Sequence, residues 1–252
     1  MGKFDGVILM SDLDGTLAKN GIVSENNKKA IEYFKSEGGK FTFATGRYLD
    51  FIEKVEVKPN APVISENGAL IYDFQTKTIL NEVFLPDDVI EVLKYVCEDF
   101  KPRIISVHTN DANGSFNFNN PTRNDFLTKF KNSYKIVLVF DTENETIKCK
   151  NKLISNYPMY EFFRSWNTGL EILPKGANKG ECLKIIKKIT KAHTVVAAGD
   201  YENDVQMLIA ADISYAPENA LPEVKDLADV VGVHFENDLM IDIINDLDKR
   251  FI

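Results

Sequence analysis

The stretch Phe4–Leu17, Phe-Asp-Gly-Val-Ile-Leu-Met-Ser-Asp-Leu-Asp-Gly-Thr-Leu, constrains this chain more than any other. Its apolar run Val7–Met10 reads as a buried strand and gives way to Asp12 and Asp14, a turn glycine at Gly15 and a hydroxyl at Thr16. In an open α/β fold ligands bind at the carboxyl ends of the strands, so charge placed where burial stops marks a candidate site. Asp and Gly are also ordinary turn residues, and taken alone the stretch is compatible with an acidic turn after a strand. The pattern recurs, however. Val195–Ala198 is a second small apolar run, ending on Gly199-Asp200-Tyr201-Glu202-Asn203-Asp204. If the two strands are neighbours in one parallel sheet, Asp12, Asp14, Asp200 and Asp204 converge. Carboxylates crowded into one cleft repel unless a cation joins them. A hard divalent ion, Mg²⁺ above all, meets that need with a few carboxylates, waters and substrate phosphate.

Charge and length narrow the alternatives. The formal net charge is -8 and there is no basic tract, which argues against a nucleic-acid or anionic-membrane surface. A chain of 252 residues lies at the upper edge of a single core and has room for two domains. Cys97, Cys149 and Cys182 are widely spaced in stretches that read as helix, with neither metal-ligand nor disulfide spacing, as expected in a reducing compartment. No apolar run approaches membrane-spanning length, and the start carries no apolar signal region. The expectation is a soluble cytoplasmic protein, either a monomer or a weak homodimer.

Along the chain, strand, turn and helix alternate through Ser65. Asn20-Gly21 is a turn, Ser24 a helix cap, and Ala30, Ile31 and Phe34 a buried stripe. Lys40–Thr45 is a second strand meeting Gly46-Arg47, a helix carries Leu49, Ile52 and Val55, and Pro62–Ser65 is a third strand running into Glu66-Asn67-Gly68. From Ala69 the grammar changes to a hairpin around Gln75–Lys77, then a helix from Pro86, strands at 103–109 and 134–140, a helix near 122–130, another at 143–156, and strands at 158–164 and 168–173. The first grammar returns at Pro174, where Asn178 and Glu181 read as a capping box. The expected fold is α/β: a doubly wound, mostly parallel, Rossmann-like core from 1–82 and 173–252, with an α+β domain at 83–172 inserted into it.

The order Asp12-x-Asp14-Gly15-Thr16, Thr45-Gly46-Arg47, Lys179-Gly180, Gly199-Asp200-x-x-Asn203-Asp204 resembles the haloacid-dehalogenase-like phosphatase superfamily. The large insertion, together with Ser65-Glu66-Asn67-Gly68-Ala69, is similar to its Cof-type subfamily, whose cap is of type IIB. That resemblance implies Asp12 as the nucleophile and Asp14 as the acid and base. It implies Mg²⁺ held by the Asp12 side chain, the Asp14 carbonyl, Asp200 and Asp204, and phosphoryl contacts from Thr45 and Lys179. A lysine in the first turn of a helix faces the unfavourable end of the dipole, which is easier to understand if Lys179 lies among carboxylates. Lys175 is the competing lysine. Gly46, Arg47, Asn67 and Asn203 are expected on the substrate side.

The function expected is Mg²⁺-dependent hydrolysis of a small phosphomonoester, a sugar phosphate before pyridoxal phosphate or a nucleotide. A phosphomutase shares the first aspartate pair, and a silent binding protein of the same fold is the reading from another class. Retention of Asp12, Asp14, Lys179 and Asp200 weighs against the latter. Specificity is expected from the insertion, where His108, Asn110, Asn113, Asn117 and Arg123 are polar enough to meet hydroxyl groups. One departure from the subfamily pattern, Tyr215-Ala216-Pro217 before Asn219-Ala220, makes transfer of any one relative's substrate unsafe.

Overall fold

The computed structural model describes residues 2–110, the backbone of 113–117, and 132–251. The helix expected near 122–130 lies outside the described residues, as do Arg123 and the side chains of Asn113 and Asn117. The chain divides into two compact units, 1–81 with 178–252, and 82–177.

In the first unit, β1 (Val7–Ser11) is buried along its whole length. It pairs in parallel with β2 (Lys40–Phe43) on one side and with β11 (Thr194–Ala198) on the other. A strand covered on both faces needs a continuous apolar run, which is how Val7–Met10 reads. Beyond β11 the sheet continues through β12 (Ile213–Ala216) and β13 (Val230–Val231), in the order β13-β12-β11-β1-β2. On the opposite side β3 (Val63–Ser65) joins through the parallel bridge Ala44–Ile64 and begins an antiparallel meander with β4 (Leu70–Asp73) and β5 (Thr78–Glu82). The chain thus winds outward from β1 through β2 to β3, and in the other direction from β11 to β13. The boundary between β1 and β11 is the topological switch point, where a crevice opens at the strand ends.

Strand periodicity sorts side chains between two helical layers. Val7, Leu9, Val196 and Ala198 share one cluster with Ile31 and Phe34 of α1 (Glu25–Ser36) and, near the C-terminus, Leu239, Ile243 and Leu247. Ile8, Met10, Val195 and Ala197 share the other with Cys182, Leu183, Ile186, Met207 and Leu208. Ser24 caps α1 by accepting from the Asn27 N–H at 3.1 Å. Asn20 and Gly21, both at positive φ, turn the Lys19–Ile22 hairpin.

Two local expectations need correction. The helix through Leu49, Ile52 and Val55 is a single turn, α2 (Leu49–Ile52). Tyr48 gives it no side-chain cap, and the β-branched Val55 and Val57 precede Pro59, so propagation has little local support. The capping box at Asn178 is half made: Asn178 accepts from the Glu181 N–H at 2.9 Å, while the Glu181 carboxylate pairs with Lys184.

The second unit is an inserted antiparallel cap of order β7-β6-β8-β10-β9. Its strands are β6 (Ile104–Thr109), β7 (Asn113–Asn117), β8 (Ser133–Val139), β9 (Tyr160–Trp166) and β10 (Gly169–Pro174). Val92, Leu93 and Val96 of α3 (Val89–Asp99), with Cys149 and Leu153 of α4 (Glu143–Asn156), cover Ile105, Val107, Ile136, Leu138, Leu170 and Ile172. Thr142 and Glu145 close a full capping box on α4. Among the described residues no helix is long and apolar enough to cross a membrane.

Leu9 is fully buried at the centre of the sheet, whereas Ile209 is 61% exposed. Leu9→Ala is expected to destabilise the first unit by about 2–5 kcal/mol, and Ile209→Ala by no more than about 0.5 kcal/mol. Urea denaturation followed by the signal of each unit checks the contrast.

Candidate active site

The parallel registers that align Ser11 with Ala198 and with Phe43 bring three chain segments together at the carboxyl ends of the strands. Asp12 donates its backbone N–H to the Ala198 carbonyl at 2.8 Å, and Ala44 donates to the Ser11 carbonyl at 2.9 Å. Asp12 therefore stands at the crevice between the loop after β11 and the Thr45–Arg47 loop. Asp12, Asp200 and Asp204 offer carboxylate oxygens within 4.8 Å of one another.

Lys179 supplies the cation within the protein. It opens α5 (Lys179–Thr190), capped by Asn178, and its side chain is fully buried. Nζ donates to Asp12 Oδ1 and to Asp204 Oδ1, each at 2.6 Å. A cation at a helix N-terminus is disfavoured by about 0.3–1 kcal/mol, whereas each hydrogen bond to a charged partner contributes about 1.5–3 kcal/mol. The carboxylates decide the outcome. Burial pushes the ammonium pKa down, and Asp12 with Asp204 more than reverses this, so Lys179 stays protonated. Lys175, the competing lysine, is exposed and faces Glu161 at 3.5 Å.

One ammonium does not balance three carboxylates. Burial raises Asp12 well above the usual carboxylate range; Lys179 opposes the rise, and Asp204 and Asp200 add to it. Asp200 is pushed up to about 7, by burial first and then by Asp204, against a hydrogen bond from Thr16. A hard, oxygen-only donor set with surplus negative charge fits a divalent cation. Asp204 is the most occupied member. Its Oδ2 also accepts the N–H groups of Asp200 and Tyr201, at 3.0 and 3.1 Å.

Asp14 is placed differently. Leu13 turns into the core, and the Asp14 carboxylate, 38% exposed, is gripped by Arg47, with Nε–Oδ2 at 2.8 Å and Nη2–Oδ1 at 3.1 Å. Arg47 in turn lies over the Phe51 ring at 4.4 Å. Thr45 is buried at the end of β2, where its Oγ1 accepts the Arg47 N–H at 3.1 Å, and Gly46 passes close to the Asn67 amide. Asn67 and Asn203 are buried and bonded to each other, Nδ2 of Asn203 donating to Oδ1 of Asn67 at 3.0 Å. In the inserted cap, His108 is half-buried on β6 opposite Lys135, and Asn110 is exposed beyond the strand end.

Two contributors escaped the sequence-based choice of site residues. Thr16 Oγ1 donates to Asp200 Oδ1 at 2.8 Å, and Asn219 Nδ2 donates to the Gly15 carbonyl at 2.9 Å. Thr16 was legible as a hydroxyl beside the aspartates, but its partner lies 184 residues away. Gly15 itself is required twice over: φ is +89°, and a Cβ would sit 2.7 Å from Asp200 Oδ2.

The model of a haloacid dehalogenase-like hydrolase family matches residues 9–239. The chain belongs to this family. It is 30% identical over 252 residues to phosphoglycolate phosphatase 2 of Saccharolobus solfataricus, covering 96% of this chain and 91% of that one. A 5-amino-6-(5-phospho-D-ribitylamino)uracil phosphatase of Bacillus subtilis, YitU, is 26% identical, with 92% and 93% covered. Among solved structures, the subclass IIB sugar phosphatase BT4131 shares the fold at a TM-score of 0.76 and 19% identity, over 96% of this chain and 98% of that one. Family and site together make the chain an enzyme, a phosphatase of this superfamily with an inserted cap.

The shifted carboxyls give a pH signature. Folded Asp200 titrates near 7, against about 4 in an unfolded chain. Between these values the folded state holds the extra proton, so this group's contribution to stability falls as pH rises through the window. A divalent cation binds the deprotonated form. The rise in melting temperature caused by Mg²⁺ is therefore expected to be larger at pH 8 than at pH 5.5, and Asp200→Asn is expected to reduce the difference, the raised Asp12 carboxyl carrying the remainder. Thermal melts at both pH values, with and without Mg²⁺, check this.

Proposed function

We propose that this phosphatase hydrolyses small phosphomonoesters, sugar phosphates foremost, in the cytoplasm, through an aspartyl-phosphate on Asp12. The observation that carries the proposal is Lys179 bridging Asp12 and Asp204, with Asp200 in the same buried cluster. Lys179 occupies Oδ1 of Asp12 and leaves Oδ2 as the attacking oxygen. Oδ2 bonds to phosphorus as the ester P–O bond breaks, and Asp14 gives its proton to the departing alkoxide. Water then attacks phosphorus and loses its proton to Asp14; the bond to Asp12 breaks, and phosphate leaves.

Mg²⁺, when bound, would offset the charge between nucleophile and phosphate and orient the transferring group. Asp12, the Asp14 carbonyl and Asp200 would hold it, and Asp204, whose two oxygens already accept three hydrogen bonds, would complete the acidic side of the site. Thr45 keeps its hydroxyl hydrogen for a phosphoryl oxygen while Oγ1 accepts from Arg47. Lys179 stabilises charge on Asp12 and on the transferring group, and Gly46 and Arg47 line the substrate side. Arg47 releases Asp14 when phosphate offers a second anion.

These core residues act on the phosphoryl group alone, so selection among leaving groups is assigned to the inserted cap. The relatives named above include phosphatases of a two-carbon acid, of a ribityl compound and of sugars, which supports a small phosphorylated metabolite without choosing among them. The size of a phosphomutase reaction is read in the same experiment, as isomerised sugar phosphate in place of free phosphate.

Phosphate release from sugar phosphates, phosphoglycolate, nucleotides, pyridoxal phosphate and an aryl phosphate is to be measured with Mg²⁺ and with chelator. The expected result is turnover that chelation abolishes, and turnover indifferent to chelation overturns the metal role. Asp12→Asn is expected to lose about 10³-fold or more. In Asp14→Asn, transfer of the phosphoryl group to Asp12, followed in a single turnover, is expected to slow about 10²–10⁴-fold with alkyl phosphates and far less with an aryl phosphate, whose leaving group needs no proton, while hydrolysis of the aspartyl-phosphate slows alike for both. Equal slowing of the first step with both substrates would refute Asp14 as the acid.

A further inference from the structure

The first unit also holds a cavity of about 320 Å³ that none of the clustered carboxylates lines. It lies between the Lys19–Ile22 hairpin, the first turn of α1 and the segment Phe235-Glu236. Its volume is at the lower end for small-molecule sites, and Leu17, Ile22 and Phe235 give it apolar walls. Lys19 and Glu236 also line it, but both are well exposed and are paired with each other at 2.6 Å, so their charges offset one another at the rim. Asn27 is the one buried polar side chain in the lining, only 1% exposed. Its Oδ1 accepts the Met240 N–H at 3.0 Å, which leaves both hydrogens of Nδ2 without a hydrogen-bond partner among the described residues. A buried donor left unsatisfied is costly, and a lone donor among apolar walls is the kind of group that orients a ligand.

Charge selects the ligand's head. An ammonium finds no acceptor here, because Asn27 Oδ1 is committed to Met240 and Ser24 Oγ accepts the Asn27 N–H. A carboxylate would exchange its hydration for a single amide. It would also meet Glu236 at the rim and Asp238 beyond it, which already takes the hydrogen bonds of Ser24 and Asn26. A neutral carbonyl meets neither objection. We infer that this cavity is a binding site for a small, uncharged, largely apolar carbonyl compound, whose oxygen accepts from Asn27 Nδ2. The site is separate from the carboxylate cluster, and its occupancy does not depend on the reaction proposed above. Its walls are nonetheless tied to the catalytic loop. Leu17 follows Thr16, which donates to Asp200, and Phe235 donates its N–H to Asn219 Oδ1 at 3.1 Å while Asn219 donates to the Gly15 carbonyl. A ligand packed on Leu17 and Phe235 therefore bears on Gly15 and Thr16 from two directions.

Acetophenone, benzoate and benzylammonium carry the same ring with a neutral, an anionic and a cationic head. Each is to be titrated into the full, isotope-labelled chain while backbone amide resonances are followed. Acetophenone is expected to bind with a Kd of about 1 mM, ordinary for so small a ligand. It is expected to shift the amides of 17–27 and 235–236 and, through them, those of Gly15 and Thr16. The two charged probes are expected to bind at least about tenfold more weakly. Excess inorganic phosphate with Mg²⁺ is expected to leave acetophenone in place. Asn27→Asp keeps an oxygen for the Met240 N–H, sits in the first turn of a helix where a carboxylate is favoured, and removes the donor; it is expected to weaken acetophenone about tenfold or more. Ile22→Ser, at a position 74% exposed and so safe for folding, is expected to weaken it about three- to tenfold. Equal binding of a charged probe rejects the ligand class. Displacement by phosphate, unchanged affinity in Asn27→Asp, or no shift of 17–27 by acetophenone rejects the site, and shifts confined to the cavity walls reject its link to Gly15 and Thr16.

Discussion

Three carboxylates buried against one another would cost several kcal/mol each if left uncompensated, and the architecture of the first unit is arranged around that cost. Parallel pairing of β1 with β11 brings Asp12 and Asp200 to one crevice, and the turn after β11 returns Asp204 beside them. Lys179 answers two of the three charges through bonds of 2.6 Å. The rest of the negative charge is left for a cation, and the raised carboxyls of Asp12 and Asp200 register that demand. The same surplus gives the site its purpose in the proposed reaction. A site that were neutral on its own would have little reason to gather a metal, and without a metal a nucleophilic carboxylate would repel the dianion it must attack.

Rigidity at this point comes from backbone contacts more than from side-chain bulk. The Asp12 amide is bonded to the neighbouring strand, the Gly15 carbonyl to Asn219, and the Asp204 carboxylate to two amides of its own turn. A sub-ångström displacement of a nucleophile is costly in rate, and bonds of this kind leave few soft dihedrals through which displacement could occur. Glycine at position 15 allows the first loop to pass against Asp200 where any Cβ would collide.

The sheet core was legible because its signals are local. A continuous apolar run that ends on acid reads as a buried strand delivering ligands, and it does so twice, at Val7–Met10 and Val195–Ala198. The convergence of Asp12, Asp200, Asp204 and Lys179 followed from those strand ends, from one helix cap and from a family resemblance. Contacts between distant segments were not legible. Nothing around Thr16 points to Asp200, and nothing around Asn67 points to Asn203, because only the sheet register makes them neighbours. The short α2 was misjudged for the converse reason: Leu49, Ile52 and Val55 have helical spacing, but Ile52 and Val55 are buried by the core whether or not the turn propagates. In the inserted cap, Lys135 and Glu171 form a buried pair at 2.9 Å, and neither residue was singled out in the sequence.

Asp12 and Asp14 are chemically the same and two residues apart, so any difference of role must come from their surroundings. The backbone separates them by turning Leu13 into the core between them. Asp12 is buried against an ammonium, which favours a desolvated, charged carboxylate fit to attack once a metal shares the site. Asp14 is left more than a third exposed against a guanidinium that is itself half in solvent and seated on Phe51. In the proposed mechanism Asp14 gives a proton to an alkoxide and takes one from water, and its part-exposed position suits that exchange. Burying Asp14 as deeply as Asp12 would add a fourth charge to a cluster that already lacks a counterion. The division of labour in the proposed mechanism therefore also keeps a fourth carboxylate out of the buried cluster.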